Sequence, residues 1–251
     1  MTTVFALVDS LTCGRGVGVR VASELTWPAL LGRWTPGIDV RSFAVPGARI
    51  ADIRQAQLPW IPAERAQGAV VIMIAGLNDV CRSGFSRDVI ARELALTLTT
   101  ARKSGATVVL GRLHDPARVL GLRSGPLEAA ISSRVGIVNG EVDAAAEASA
   151  DVRVLDLESI PALASRGGWA CDRIHPSSVG HRAIACAAAD VLFQAGLAPR
   201  SRLEKPGPVP GPSAMRTAWW AVRHGLPYSL KHVPDFAPPM LAALASRGDS
   251  N

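Results

Sequence analysis

The apolar residues of this chain are not evenly spread. They gather into five short runs at residues 4–8, 40–45, 69–75, 107–113 and 152–157, each rich in Val, Ile and Leu. Stretches with helical periodicity separate the runs, which predicts βαβ units and a mostly parallel sheet. The run Val70-Val71-Ile72-Met73-Ile74 is continuously apolar instead of alternating, so its strand is expected to be covered by helices on both faces. Helices are predicted around 17–32, 87–104, 126–149 and 177–195, the last opened by Pro176 and Ser177 and closed by Gly196.

Past residue 199 the pattern changes. Pro206, Pro208, Pro210 and Pro212 place four prolines in seven residues, which forbids helix or central strand and predicts a stiff, extended connector. Residues 1–199 read as one domain, 200–212 as a Pro-rich linker and 213–251 as a basic, Trp-containing helical tail. No internal repeat of solenoid length is present.

Composition narrows the functional classes. A chain of 251 residues with 48% hydrophobic residues can bury a full core. Its net charge of +6 is concentrated at the end: residues 200–251 hold seven Lys/Arg against three Asp/Glu, leaving only +2 for residues 1–199. A nearly neutral domain argues against nucleic acid as a partner. Met1-Thr2-Thr3 runs straight into the first apolar run with no basic segment or cleavage site before it, so a strand and a cytoplasmic protein are expected in place of a signal peptide. No apolar run approaches the roughly 18 residues of a spanning helix. Cys13, Cys81, Cys171 and Cys186 include no C-x-x-C pair and no zinc spacing with histidine, so free thiols and no metal are expected.

Four polar blocks follow the predicted strands or lie in a loop that reaches the same edge: Asp9-Ser10-Leu11-Thr12, Gly47, Gly76-Leu77-Asn78-Asp79 and Asp172-Arg173-Ile174-His175. In open α/β sheets the ligand crevice forms at the carboxyl ends of the strands. A serine hydroxyl needs an adjacent base, and that base needs a group to fix its tautomer. Ser10, His175 and Asp172 supply these three roles, with Asp172 three residues before His175 on one loop. Donors for an oxyanion are available from the N–H of Ser10, the N–H of Gly47 and the amide of Asn78. Taken singly, Asp-x-x-His reads as a helix cap, Asn78-Asp79 as a turn and Pro46-Gly47 as a Pro-Gly turn; their common placement is what points to a hydrolytic site. Asp9, Leu11 and His114 are further candidates to line the substrate cleft.

Other motifs fit less well. Gly14-x-Gly16-x-Gly18 follows a strand, but Val19 occupies the position of the third glycine of a dinucleotide-binding loop, and no acidic residue closes the second strand. It reads instead as a flexible loop beside the site. The G-x-S-x-G nucleophile elbow is absent.

Residues 3–195 resemble the SGNH (GDSL-type) hydrolases. Ser10 in Val8-Asp9-Ser10-Leu11-Thr12, Gly47 in Ala44-Val45-Pro46-Gly47-Ala48, Asn78 in Gly76-Leu77-Asn78-Asp79 and Asp172 and His175 in Asp172-Arg173-Ile174-His175-Pro176 carry the resemblance. It implies a three-layer α/β/α sandwich on a mostly parallel five-stranded, flavodoxin-like sheet, followed here by the C-terminal helical extension. It also implies a serine esterase, lipase or acyltransferase needing no metal or cofactor, with a small ester or acyl substrate. Ser10 would be nucleophile, His175 base, Asp172 its partner, and Ser10, Gly47 and Asn78 the oxyanion hole. Val8 stands where the family usually has glycine, and Ser42 where an asparagine often opens the second block; a branched residue at Val8 restricts the backbone before the nucleophile. Outcomes to be weighed are ester hydrolysis, acyl transfer from the same site, and a catalytically weak binding protein of the same fold. In its Arg-rich, Ala-rich composition and its basic tail the chain is similar to actinobacterial members. Trp219, Trp220, Tyr228, Phe236, Met240 and Leu241, interspersed with Arg216, Arg223 and Lys231, fit docking on the domain best, with a lid or a membrane-surface helix as alternatives.

Overall fold

The computed structural model describes residues 1–120 and 125–231. Its five main strands are β1 (Thr2–Val8), β2 (Ile38–Ser42), β3 (Val70–Ile74), β4 (Thr107–Arg112) and β5 (Val152–Asp156). All pair in parallel, in the order β2-β1-β3-β4-β5. The principal helices are α1 (Ser10–Cys13), α2 (Trp27–Trp34), α3 (Leu77–Val80), α4 (Arg87–Lys103), α5 (Pro126–Glu147) and α6 (Ser178–Gln194). In the tail, α7 (Ala214–Trp220), a π-helical stretch Ala221–Gly225 and α8 (Leu226–Lys231) follow one another without a break.

Right-handed crossovers explain the layers. The chain leaves β1 in one direction to reach β2 and later in the other to reach β3, β4 and β5, so helices fall on opposite faces of the sheet. α2 packs against α6, and α4 against α5. Every residue of β3 is buried, as its unbroken apolar run requires. Phe5, Leu7, Ile72, Ile74, Leu110 and Leu155 are among the strand residues of a core that also takes in Trp27 and Leu31 of α2, Val138 of α5 and Leu192 of α6.

Most element boundaries agree with the pattern of apolar residues, and the helix expected at 17–32 is corrected. Residues 15–20 instead form a small antiparallel hairpin, with Arg15 opposite Arg20 and Gly16 opposite Val19. Gly14 and Gly18 have φ of 66° and 64°, which a helix cannot contain. The helix begins only at Trp27, with Pro28 in its first turn. The second strand ends earlier than its apolar run, although Phe43 and Val45 still donate to the Ala6 and Val8 carbonyls and keep that run alongside β1.

The Pro-rich stretch forms neither helix nor strand and lies along the domain. Arg202 N donates to the Trp34 carbonyl, Lys205 pairs with Asp190 at 2.6 Å, and Val209 abuts Gly167. Phe236, Met240 and Leu241 lie outside the described residues.

Candidate active site

β1 and β3 are neighbours from which the chain departs in opposite senses, and the opening between their carboxyl ends is the topological switch point of such a sheet. Ser10 follows β1 and Asn78 follows β3. Asp9 caps α1, its Oδ1 accepting from Leu11 N at 2.9 Å, and Gly14 in the left-handed region ends this single turn. Thr12 Oγ1 accepts from the indole of Trp27 at 2.8 Å, and Trp27 N donates to His181 Nδ1, so α1 is tied to α2 and α6. Val8 fits without strain because it belongs to β1, paired with Ile74, where a branched side chain suits the extended backbone.

His175 reaches this turn from the far end of the chain. Ser10 Oγ lies 2.8 Å from His175 Nε2, and His175 Nδ1 lies 2.6 Å from Asp172 Oδ2. With the imidazole proton on Nδ1, Ser10 donates to Nε2 and Nδ1–H donates to the carboxylate. The other oxygen of Asp172 accepts from Ile174 N and His175 N, fixing the carboxylate at both atoms. That double acceptance requires a tight loop. Arg173 supplies it with φ of 54°, and Ala170 N donates to the His175 carbonyl to close it. Asp172 is 2% and His175 8% exposed, so the relay is largely shielded from water.

Gly16 covers this relay. A Cβ placed on it would collide with His175 Nδ1 and sit 2.6 Å from Asp172 Oδ2. The glycine loop is thus a roof on the His–Asp pair, built by the hairpin. At the hairpin tip, Trp220 Nε1 donates to the Val17 carbonyl and the His224 ring lies against Gly18.

The remaining blocks meet at Asn78. Its amide donates to Asp9 Oδ2 at 2.9 Å and to the Ala48 carbonyl at 3.0 Å, joining the first, second and third blocks. Both amide hydrogens are therefore engaged, and an oxyanion would have to share or displace one partner. Gly47 adopts φ of 82° and meets nothing in front of its Cα. Among the described residues no hydrogen bond occupies the N–H of Ser10 or of Gly47. Burial pushes the Asp9 carboxyl up to about 6 despite the Leu11 N–H and nearby His175, and burial likewise pushes Asp79 up to about 6 while it accepts from Ile50 N.

Of the other cleft candidates, Leu11 packs in the hydrophobic core and Asp9 is wholly buried, so neither presents a surface to a ligand. His114 lies against Trp169, with ring centroids 3.9 Å apart and planes tilted by 39°, and lines a cavity of about 440 Å³ with Asp115, Arg118 and Trp169. Among the described residues neither of its nitrogens has a hydrogen-bond partner, and burial pushes it down to about 3. Among the described residues no cluster of three or more His, Cys, Asp or Glu is placed to hold a metal. Among the described residues none of the four cysteines is in a disulfide.

Two buried amides escape any reading of motifs. Gln57 donates to the Val8 carbonyl and accepts from Val8 N, from a π-helical turn, Ile53–Gln57. Asn139 of α5 does the same to both backbone groups of Leu113, at the end of β4 and next to His114. Each substitutes for a strand neighbour just before a site residue. A lone Gln or Asn in a helical pattern gives no sign of this in sequence.

The sheet order, together with a hydroxyl, an imidazole and a carboxylate aligned at its carboxyl edge, defines an α/β/α hydrolase. The chain belongs to the GDSL-like lipase/acylhydrolase family, whose profile matches residues 9–183. Its fold is similar to that of a lipolytic G-D-S-L protein of Veillonella parvula, at a TM-score of 0.62 and 16% identity over 77% of this chain and 100% of that one. A G-D-S-L family protein from Desulfitobacterium hafniense gives 0.61 at 20% identity, covering 76% and 100%. A psychrotrophic esterase from Pseudoalteromonas sp. gives 0.59 at 16%, covering 77% and 98%. No curated protein sequence matches the chain.

Proposed function

We propose that this protein is a serine-dependent carboxylic ester hydrolase that works through an acyl-enzyme on Ser10. The observation that carries the reading is the continuous relay from Ser10 Oγ through His175 to Asp172, at 2.8 and 2.6 Å, within a family of acylhydrolases. Ser10 Oγ attacks the acyl carbon as His175 Nε2 takes its proton. Asp172 stabilises the resulting imidazolium and keeps its ring aligned. Negative charge on the former carbonyl oxygen is received by the N–H groups of Ser10 and Gly47 and by the Asn78 amide, which exchanges a resting partner for the oxyanion. The leaving alkoxide takes the proton from Nε2. His175 then deprotonates a water, which attacks the acyl-enzyme and releases the acid and free Ser10. No metal or cofactor enters these steps.

A fluorophosphonate probe should label the wild-type protein and fail to label Ser10→Ala. Turnover of a p-nitrophenyl ester should fall by about 10⁴–10⁶ in His175→Ala, since the three side chains act as a unit. Undiminished labelling of Ser10→Ala, or near-normal turnover by His175→Ala, overturns the assignment. Product partitioning toward an added alcohol at constant substrate consumption would identify a transferase using the same site.

A further inference from the structure

The tail helix touches the domain with one side only. Trp220 and His224, four residues apart, meet the tip of the glycine hairpin. Away from that contact stand Met215, Val222, Leu226 and Leu230, with Trp219 at the edge of the row, where its ring also meets His224 and borders the cavity between tail and domain; the five are between 58% and 82% exposed. Their spacings of four, three, four and four residues keep them on one side of a helix. An exposed row of large apolar side chains is rare on a soluble surface and marks a place where something binds. Residues 214–231 span about 27 Å, enough to lay the whole row against a flat surface.

Charge selects the occupant. Arg216, Arg223 and Lys231 accompany the row, residues 206–231 contain no Asp or Glu, and none of the three cations is ion-paired among the described residues. A second copy of the chain meeting this face about a twofold axis would set these cations against their own equivalents. A bilayer bearing anionic headgroups offers the opposite charge together with an apolar layer beneath. Trp219 then sits at the depth where tryptophan is enriched in membrane interfaces. We propose that the outer face of residues 214–231 is a docking surface for an anionic phospholipid membrane, holding the domain at the lipid–water boundary. Binding of this kind does not depend on the chemistry at Ser10.

The test is co-sedimentation of the full-length protein with phosphatidylcholine vesicles, with and without phosphatidylglycerol. The protein is expected to pellet with the phosphatidylglycerol vesicles at low salt, to be released as salt rises, and to pellet much less with phosphatidylcholine alone. A Trp219→Ser/Val222→Ser/Leu226→Ser variant should lose affinity on the order of tenfold for each side chain removed. Its thermal unfolding midpoint should be unchanged, since these side chains are exposed. Arg216→Gln/Arg223→Gln should reduce binding to the level seen with phosphatidylcholine. Ser10→Ala should bind as the wild type does, so failure of the esterase reading leaves this one standing. No pelleting with either vesicle at low salt, or full binding by the triple serine variant, overturns the proposal. So does equal binding to both vesicle types, or a dimer that the serine variant dissociates without any vesicle binding.

Discussion

Gly16 shows how much of this site depends on a single missing side chain. Its backbone lies on the hydrogen bond between His175 and Asp172, and alanine there would place a methyl group against both partners. Gly16→Ala is therefore expected to lower ester turnover by two orders of magnitude or more, on the scale of removing a preorganised catalytic contact, while far-ultraviolet circular dichroism stays native; normal turnover would show that the hairpin retreats freely. Gly136, within α5, is the counterpart. A Cβ there meets only open space, so Gly136→Ala should stabilise the fold by about 0.5–1 kcal/mol in urea unfolding. At this scale the sequence was informative about chemistry and silent about contact. Ser10, Asn78, Asp172 and His175 stand out because their residue types and order imply reactivity. Gly16 read as part of a flexible loop, because what makes it glycine is a neighbour more than 150 positions away.

Among the elements, the strands and the long helices were legible because burial on one or two faces imposes a period on the sequence. The segment 17–32 was not, since a hairpin of six residues is too short to show any period and its glycines decide its shape by dihedral angle. The tail was legible as helical and basic, but not in which side it turns to the domain. That side is held by Trp220 and His224. Trp220→Ala/His224→Ala should detach the helix from the hairpin, seen as faster amide exchange across residues 214–231 and also across 15–20, which loses its outer support. Exchange confined to the tail would show that the hairpin stands alone.

The whole molecule carries a set of opposed titrations. Burial raises Asp9 and Asp79 from 3.8 to about 6, so between those values the native state keeps protons that the unfolded chain has released, and stability falls as pH rises. Burial lowers His114 and His181 from 6.5 to about 3 and about 4, so the unfolded chain takes up protons that the native state refuses, and stability rises with pH toward 6.5. Over the shared window the pairs oppose each other, and their joint contribution is nearly level. Asp79→Asn removes one of the falling contributions, so urea midpoints measured across this window should climb with pH in the variant more steeply than in the wild type. Parallel profiles would contradict it. None of these four groups announces its environment in the sequence, because burial is a property of the assembled fold.

The amides of Gln57 and Asn139 bear on what could be moved from this protein to another. Each offers one donor and one acceptor to the backbone of a residue at the end of its strand or just beyond it, and no aliphatic or carboxylate side chain can satisfy both groups at once. Grafting the four sequence blocks onto a foreign sheet would transfer the reactive groups without the brackets that aim them. The transferable unit of this site extends to positions 57 and 139, where nothing reacts.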